Sequence, residues 1–262
     1  MNKTQLLNQL TSDREERLLL ARAMDQMTMA RDRSVPTHTP FLSPHEQSLV
    51  RSLIAAAGNP RAVFWGGYPD AERRVCFFLP DWMEDGDADG GTLCAVRAGW
   101  KDGRNLTHRD FLGALMGLGI TREKLGDLLV QSDSCDIIML KEIQPFLLQN
   151  LESAGRSRLT VSAISPEDLN LPQVRVKTIR DTVSALRLDA VGAAGFSISR
   201  SKMTEMISGG RVSLNWQESS KSAAAIEEGD VISCRGLGKC RLAKVSGISR
   251  KGRILIEMER CL

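Results

Sequence analysis

Asp85, Asp87, Asp89 and Gly90, in the stretch DGDADG, match the opening of an EF-hand loop, in which alternate carboxylates converge on one calcium ion. The twelfth position of such a loop must supply a bidentate Glu. Here it is Val96, and the flanks read as strands. The stretch is therefore expected to be a solvated hairpin loop that the fold can lose. His108-Arg109-Asp110 spells the kinase catalytic triplet, but the chain has no Gly-rich loop, no VAIK lysine and no DFG, and the triplet falls at an expected helix start. Gly66-Gly67 reads as a turn, since no GxxxxGK[ST] phosphate loop exists. Cys234 and Cys240 flank the turn RGLGK with no nearby His or second Cys pair to complete a metal site, so both are expected to be small buried hydrophobes. No GxSxG, HExxH or paired-carboxylate signature is present. The expectation is a protein that is not an enzyme, with no catalytic residue, no metal and no cofactor.

The stretch from Arg187 to Cys240 carries a different chemistry. Ser199 is a good N-cap for a short helix in which Met203, Met206 and Ile207 recur at three and four. Arg200 and Lys202 then sit in its first turn. Cations there oppose the helix dipole at a cost of about 0.3–1 kcal/mol each. A helix N-terminus already attracts anions, so two cations beside it form a phosphate clamp. Removing them is expected to leave folding unharmed. The charge distribution agrees. Residues 1–170 hold 19 Lys/Arg against 23 Asp/Glu, whereas 171–262 hold 16 against 9, a basic module on a mildly acidic body.

The elements that position this clamp follow from the pattern. A chain of 262 residues suits two or three compact units, and 42% hydrophobic with 26% charged residues is ordinary for soluble protein. No apolar run approaches the ~20 residues that span a bilayer, and the first residues, MNKTQLLNQLTSDREER, lack the apolar region of a signal peptide. Six scattered cysteines without a CxxC pair suggest reduced thiols and a cytoplasmic protein.

Residues 1–60 read as a helical region. Ser12 with Glu15 suggests one capping box, and Ser43, Pro44 and Glu46 suggest a second helix start. Residues 61–164 alternate strands and helices in the order βαββαβ, opening with AVFW, RVCFFL and TLCAVRA. A helix is expected from Thr107 and another from Lys141 to about Ala154, stopped by Gly155. This is the order of an RRM-like or ferredoxin-like sandwich, but no aromatic RNP strand is present to stack bases. SPEDLNLP reads as a linker. After it QVRVKTIR alternates Val174 and Val176 with Arg175 and Lys177, as a half-buried strand does. In the basic module a helix is expected to end at Gly195, and Gly209-Gly210 to stop the Ser199 helix ahead of strands RVSL and VISCR. The fold class expected is α+β.

The basic module resembles the S4 RNA-binding domain, of αL type, over residues 173–262. The resemblance rests on Arg187-Leu188-Asp189, Ser199-Arg200, the run from Ile207 to Asn215, and Gly229-Asp230-Val231-Ile232. Trp216 departs from the pattern, where Gly usually follows the Asn. That departure, with GDVISxRGxGK, Gly66-Gly67-Tyr68, Ala71-Glu72-Arg73 and HRDFLGALMGLGITREKLGD, resembles the YlmH family of bacterial S4-domain proteins over residues 40–262.

The resemblance implies Arg187, Ser199, Arg200, Lys202, Arg211, Asn215 and Trp216 as RNA-binding residues. It further implies rRNA and tRNA as partners on the 50S ribosomal subunit near peptidyl-tRNA, no membrane, and a monomer. The implied role is the handling of stalled nascent chains, and a link to cell division attaches to the family as well. Two alternatives stand beside it. One is an S4-bearing RNA-modifying enzyme, although in such synthases and methyltransferases the S4 domain leads a long catalytic domain. The other is a division factor acting through protein contacts.

Overall fold

A computed structural model describes residues 3–171, 176–249 and 251–261. The chain divides into two compact units, Met1–Pro172 and Gln173–Leu262.

The first unit opens with helices α1 (Lys3–Leu10) and α2 (Arg14–Arg33), strand β1 (Thr37–Leu42), helix α3 (Pro44–Ala56) and strands β2 (Ala62–Trp65) and β3 (Arg74–Phe78). The cap of α2 is Asp13 rather than Ser12. Its carboxylate accepts from the Glu15 and Glu16 N–H groups at 2.8 and 3.0 Å, the stronger acceptor at a positive helix end. The capping box of α3 is as expected, with the Ser43 N–H on Glu46 Oε2 at 2.6 Å.

The strands form an antiparallel sheet in the order β1-β3-β2. The expected boundary at 60/61 is therefore displaced. AVFW and RVCFFL close the first core, where Cys76 and Phe78 pack with Leu20, Val50 and Leu53, rather than opening the next one. β1 was hidden because Pro40 cannot donate to a ladder. The structure accommodates it on an edge strand, with a register shift between His38 and Phe41.

The βαββαβ unit begins only at β4 (Leu93–Gly99). It continues through α4 (His108–Gly117), β5 (Leu125–Val130), β6 (Ser134–Leu140) and α5 (Gln144–Asn150). A small hairpin of β7 (Ser153–Ala154) and β8 (Ser157–Arg158) precedes β9 (Thr160–Ile164). The sheet order β5-β6-β4-β9 with antiparallel pairing is ferredoxin-like. The Thr107–Asp110 cap of α4 forms as expected. α5 ends at Asn150, short of Ala154, and Gly155 turns the β7–β8 hairpin with φ +56°.

One face of this sheet, with Val96, Ile137 and Met139, packs on Phe111, Leu115 and Leu147. The other face, with Leu129, Ile138 and Leu140, packs on Phe41, Val75 and Phe77 of the three-stranded sheet. Every residue of β6 is consequently buried. The sheet face that an RRM leaves open is closed here by a second sheet.

The expected loop at Asp85–Gly90 is not a free hairpin tip. Asp85 pairs with Arg61 at 2.7 Å, Ala88 is buried in the inter-sheet core, and Asp89 accepts the Leu93 N–H at 2.8 Å. Among the described residues no group of His, Cys, Asp and Glu is placed to hold a metal ion, and no helix is long and apolar enough to cross a membrane.

The second unit runs β10 (Val176–Val183), α6 (Leu188–Phe196), α7 (Arg200–Ser208), β11 (Val212–Leu214), β12 (Gln217–Glu218), β13 (Val231–Cys234), β14 (Gly238–Ile248) and β15 (Ile254–Cys261). Val174 and Arg175 of the expected strand lie outside the described residues. The antiparallel sheet has the order β10-β15-β14-β13-β11-β12. Its core joins Leu188, Val191 and Phe196 to Met203, Met206 and Ile207, with Cys234 and Cys240 buried among them. Gly195 does not end α6. It lets the helix press on the sheet, since a Cβ there would lie 2.6 Å from Cys240 Sγ.

Candidate nucleic-acid interface

The helix LDAVGAAGF is apolar except for Asp189, which is 4% exposed. A buried carboxylate needs partners, and two arginines supply them. Arg187, the N-cap residue of α6, donates Nε to Oδ1 at 3.2 Å and Nη2 to Oδ2 at 3.0 Å. Arg200, the first residue of α7, donates Nε and Nη2 to Oδ2 at 3.1 and 2.9 Å. Burial pushes the Asp189 carboxyl up, but the bonds and charges of Arg200 and Arg187 outweigh it and hold the carboxyl below its usual value. The helix start is fixed in turn by the Leu188 and Asp189 N–H groups, which donate to the carbonyls of Ala224 and Ser222.

Asp189 thus aligns two guanidinium planes that remain 40% and 49% exposed in their side chains. Beside them Ser199 caps α7, its Oγ accepting the Lys202 N–H at 3.2 Å and leaving the exposed Lys202 ammonium off the fold. The structure brings Arg187, Ser199, Arg200 and Lys202 together, around an acidic hinge that sequence reasoning did not assign. Its trace was the lone Asp in an otherwise apolar helix. The same ion pair corrects the expectation that removing Arg200 leaves folding unharmed, because Asp189 would lose half its partners.

The remaining residues form a second group. Arg211 precedes β11, its carbonyl accepting the Arg235 N–H at 2.9 Å. Asn215 and Trp216 make the two-residue turn between β11 and β12, both at positive φ, +47° and +64°. This is the type I′ pattern, which favours Asn followed by Gly. The Asn215 side chain is committed to the fold, donating to Asp230 Oδ1 at 2.8 Å and accepting the Val231 N–H at 2.9 Å. Trp216, 38% exposed, is held out at the tip in a conformation that costs a bulky residue energy. Each group is therefore braced by an aspartate, Asp189 or Asp230.

The other motif singled out in sequence, Gly66-Gly67-Tyr68 with Ala71-Glu72-Arg73, is a packing device. Asp127 on β5 accepts from the Tyr68 hydroxyl at 2.9 Å and from the Glu72 and Arg73 N–H groups at 2.7 and 3.1 Å. The Arg73 guanidinium donates to the carbonyls of Phe41, Leu125 and Arg122. Burial pulls its pKa down to about 10. These bonds staple the two sheets of the first unit together.

Family comparisons match this anatomy piece by piece. A model described as "YlmH, N-terminal" matches residues 15–78, one described as "Putative RNA-binding domain in YlmH" matches 100–168, and the S4 domain matches 186–232. The ribosome-associated protein quality control protein P2 of Bacillus subtilis (strain 168) is 32% identical over 248 residues, covering 94% of this chain and 96% of that protein. The solved structure titled cell division protein ylmH from Streptococcus pneumoniae shares the fold, with a TM-score of 0.52 at 20% identity over 62% of this chain and 98% of its own. With the S4 elements in place and the relative matched nearly end to end, the chain belongs to the YlmH family of S4-domain proteins.

Proposed function

We propose that this chain is a non-catalytic, monomeric RNA-binding protein of the cytoplasm that binds rRNA and tRNA on the 50S subunit and acts in quality control of stalled nascent chains. The observation that carries the RNA reading is the Arg187–Asp189–Arg200 clamp beside the Lys202 ammonium, with Trp216 exposed on the adjoining strand pair. Pre-aligned guanidinium groups bind phosphate with little further loss of freedom. The ribosomal setting is supported by the name of the Bacillus subtilis relative. The closed sheet of the first unit favours shape or backbone contacts for that unit over base stacking across an open sheet.

Sedimentation of the protein with purified 50S, 30S and 70S particles tests the reading. It is expected to pellet with 50S and 70S and to be released by the pair Arg200→Ala with Lys202→Ala. A protein that stays at the top of every gradient sinks the reading and favours a division factor working through protein contacts. Nucleoside composition of rRNA and tRNA, measured by mass spectrometry after incubation, is expected to be unchanged. A new modified nucleoside would establish the enzyme alternative.

A further inference from the structure

The S4 match ends at residue 232, yet the sheet continues through β14, β15 and back to β10. Where this added sheet meets the α6–α7 corner, a groove opens. Thr182, Ser184 and Arg253 line it from the sheet side, Ser197 and Arg200 from the corner, and small side chains of α6 form its floor. Arg200 therefore belongs both to the clamp and to the groove. Arg253 donates to the Thr182 hydroxyl at 2.9 Å and to the Thr182 carbonyl, two neutral acceptors that orient the guanidinium without cancelling its charge.

Two other arginines of this sheet are arranged differently. Arg180 is paired with Glu257 and Arg241 with Glu259. Asp181 also lines the groove, and its bond from the neutral Thr182 N–H at 2.6 Å leaves its charge in place, so two guanidinium groups stand there against one carboxylate. Beyond Arg253 the β14–β15 hairpin carries the exposed Lys251 and presents Ile248 at 72% exposure, the most exposed large hydrophobic side chain among the described residues.

We infer that this groove and the hairpin beside it form a second RNA contact, taking a single sugar–phosphate strand that leaves the clamp at Arg200. The inference rests on the RNA reading above. A groove with a cation on each side, hydroxyls between them and small side chains from α6 suits a phosphodiester backbone and its ribose. Ile248 offers an apolar surface to an unstacked base. An anionic membrane would use the Ile248 tip and Lys251 but would leave the recessed groove idle, so RNA is the occupant that uses every feature.

The test is affinity of the full chain for purified 50S subunits against KCl concentration, with thermal melting beside it. Lys251→Ala with Arg253→Ala is expected to weaken binding about tenfold at low salt and to flatten the log–log slope by ~0.7–0.9 for each phosphate no longer neutralised. Lys251→Arg with Arg253→Lys is expected to restore both. Arg253 also ties β15 to β10, so Lys251→Ala with Ile248→Ser, which removes no bond of the fold, carries the test if the first variant melts early. Wild-type affinity and slope in these variants, while Arg200→Ala with Lys202→Ala releases the protein, overturns the hairpin contact and leaves the clamp standing. Wild-type behaviour in all of them overturns both. Binding to phosphatidylserine vesicles that Ile248→Ser abolishes, with 50S affinity intact, assigns the hairpin to a membrane and overturns the inference as well.

Discussion

Asp189 and Trp216 are two residues of the second unit whose chemistry runs against their surroundings, and each yields a prediction of definite sign. The Asp189 carboxyl is held below its usual value by Arg200 and Arg187. Its contribution to stability is therefore full above the unfolded carboxylate pKa of about 3.9 and is lost as pH falls through the lower folded value. Asp189→Asn is expected to cost about 1–3 kcal/mol at pH 7, since it removes charge-assisted bonds from a buried site. Hydrogen exchange of residues 188–208 at pH 7 and pH 3 checks this, and the gap to wild type should shrink in acid. Trp216 sits at φ +64°, a region that costs a non-glycine residue about 1–2 kcal/mol, partly offset in glycine by its greater chain entropy. Trp216→Gly is expected to raise the melting temperature slightly. RNA affinity should fall by about 1–3 kcal/mol if the indole stacks on a base. Stability gained together with binding lost is the signature of strain retained for function. Unchanged affinity would make the indole a bystander.

Among the elements, those governed by local rules were legible in the sequence. The caps at Ser43, Thr107 and Ser199 formed where expected because a side chain three residues from its partner N–H needs no tertiary information. Sheet membership was not legible. AVFW and RVCFFL read as strands whichever sheet they join, and only the docking of Cys76 and Phe78 on the helices decides. Asp189 stood inside a recognised motif, but its grip on Arg200, eleven positions away, depends on how α6 and α7 meet. The Gly66–Arg73 stretch, read from sequence as a turn and as part of the family resemblance, is a staple whose partner on β5 lies 54 to 59 positions away. A Cβ at Gly66 would lie 2.3 Å from the Arg73 carbonyl oxygen and 2.5 Å from Ala71 Cβ. Gly66→Ala is therefore expected to destabilise the first unit by about 1–3 kcal/mol or more, while the S4 unit keeps its RNA affinity. The loop at 84–90 is expected to follow the same logic. Its deletion removes Ala88 from the inter-sheet core and the Asp89 bond to Leu93, so the first unit should melt earlier. An unchanged melting curve would return it to the dispensable loop that the sequence suggested.

For the whole molecule, charge and core divide at the same place. Residues 171–262 carry a net +7 against −4 for the rest, and the chain splits at Pro172/Gln173, the second unit holding its own core around Leu188, Met203 and Leu242. That coincidence predicts where affinity resides and allows the clamp to be separated from the fold that carries it. Arg200→Ala removes a cation but also half the partners of Asp189, so it is expected to lower both RNA affinity and melting temperature. Lys202 contributes only its backbone N–H to the cap, and its ammonium is exposed. Lys202→Ala is therefore the cleaner probe, expected to leave melting within about 0.5 kcal/mol of wild type. It should flatten the log–log salt dependence of 50S binding by about 0.7–0.9, the equivalent of one phosphate left to its counterions. Lys101→Ala with Arg109→Ala, two exposed cations of the first unit, serves as the control and is expected to change the slope less, despite removing twice the charge. A control pair that flattens the slope more than Lys202→Ala would move the main electrostatic contact to the first unit. An Arg200→Ala protein that melts like wild type would mean that Arg187 alone satisfies Asp189, and that the clamp is a single arginine with a free neighbour.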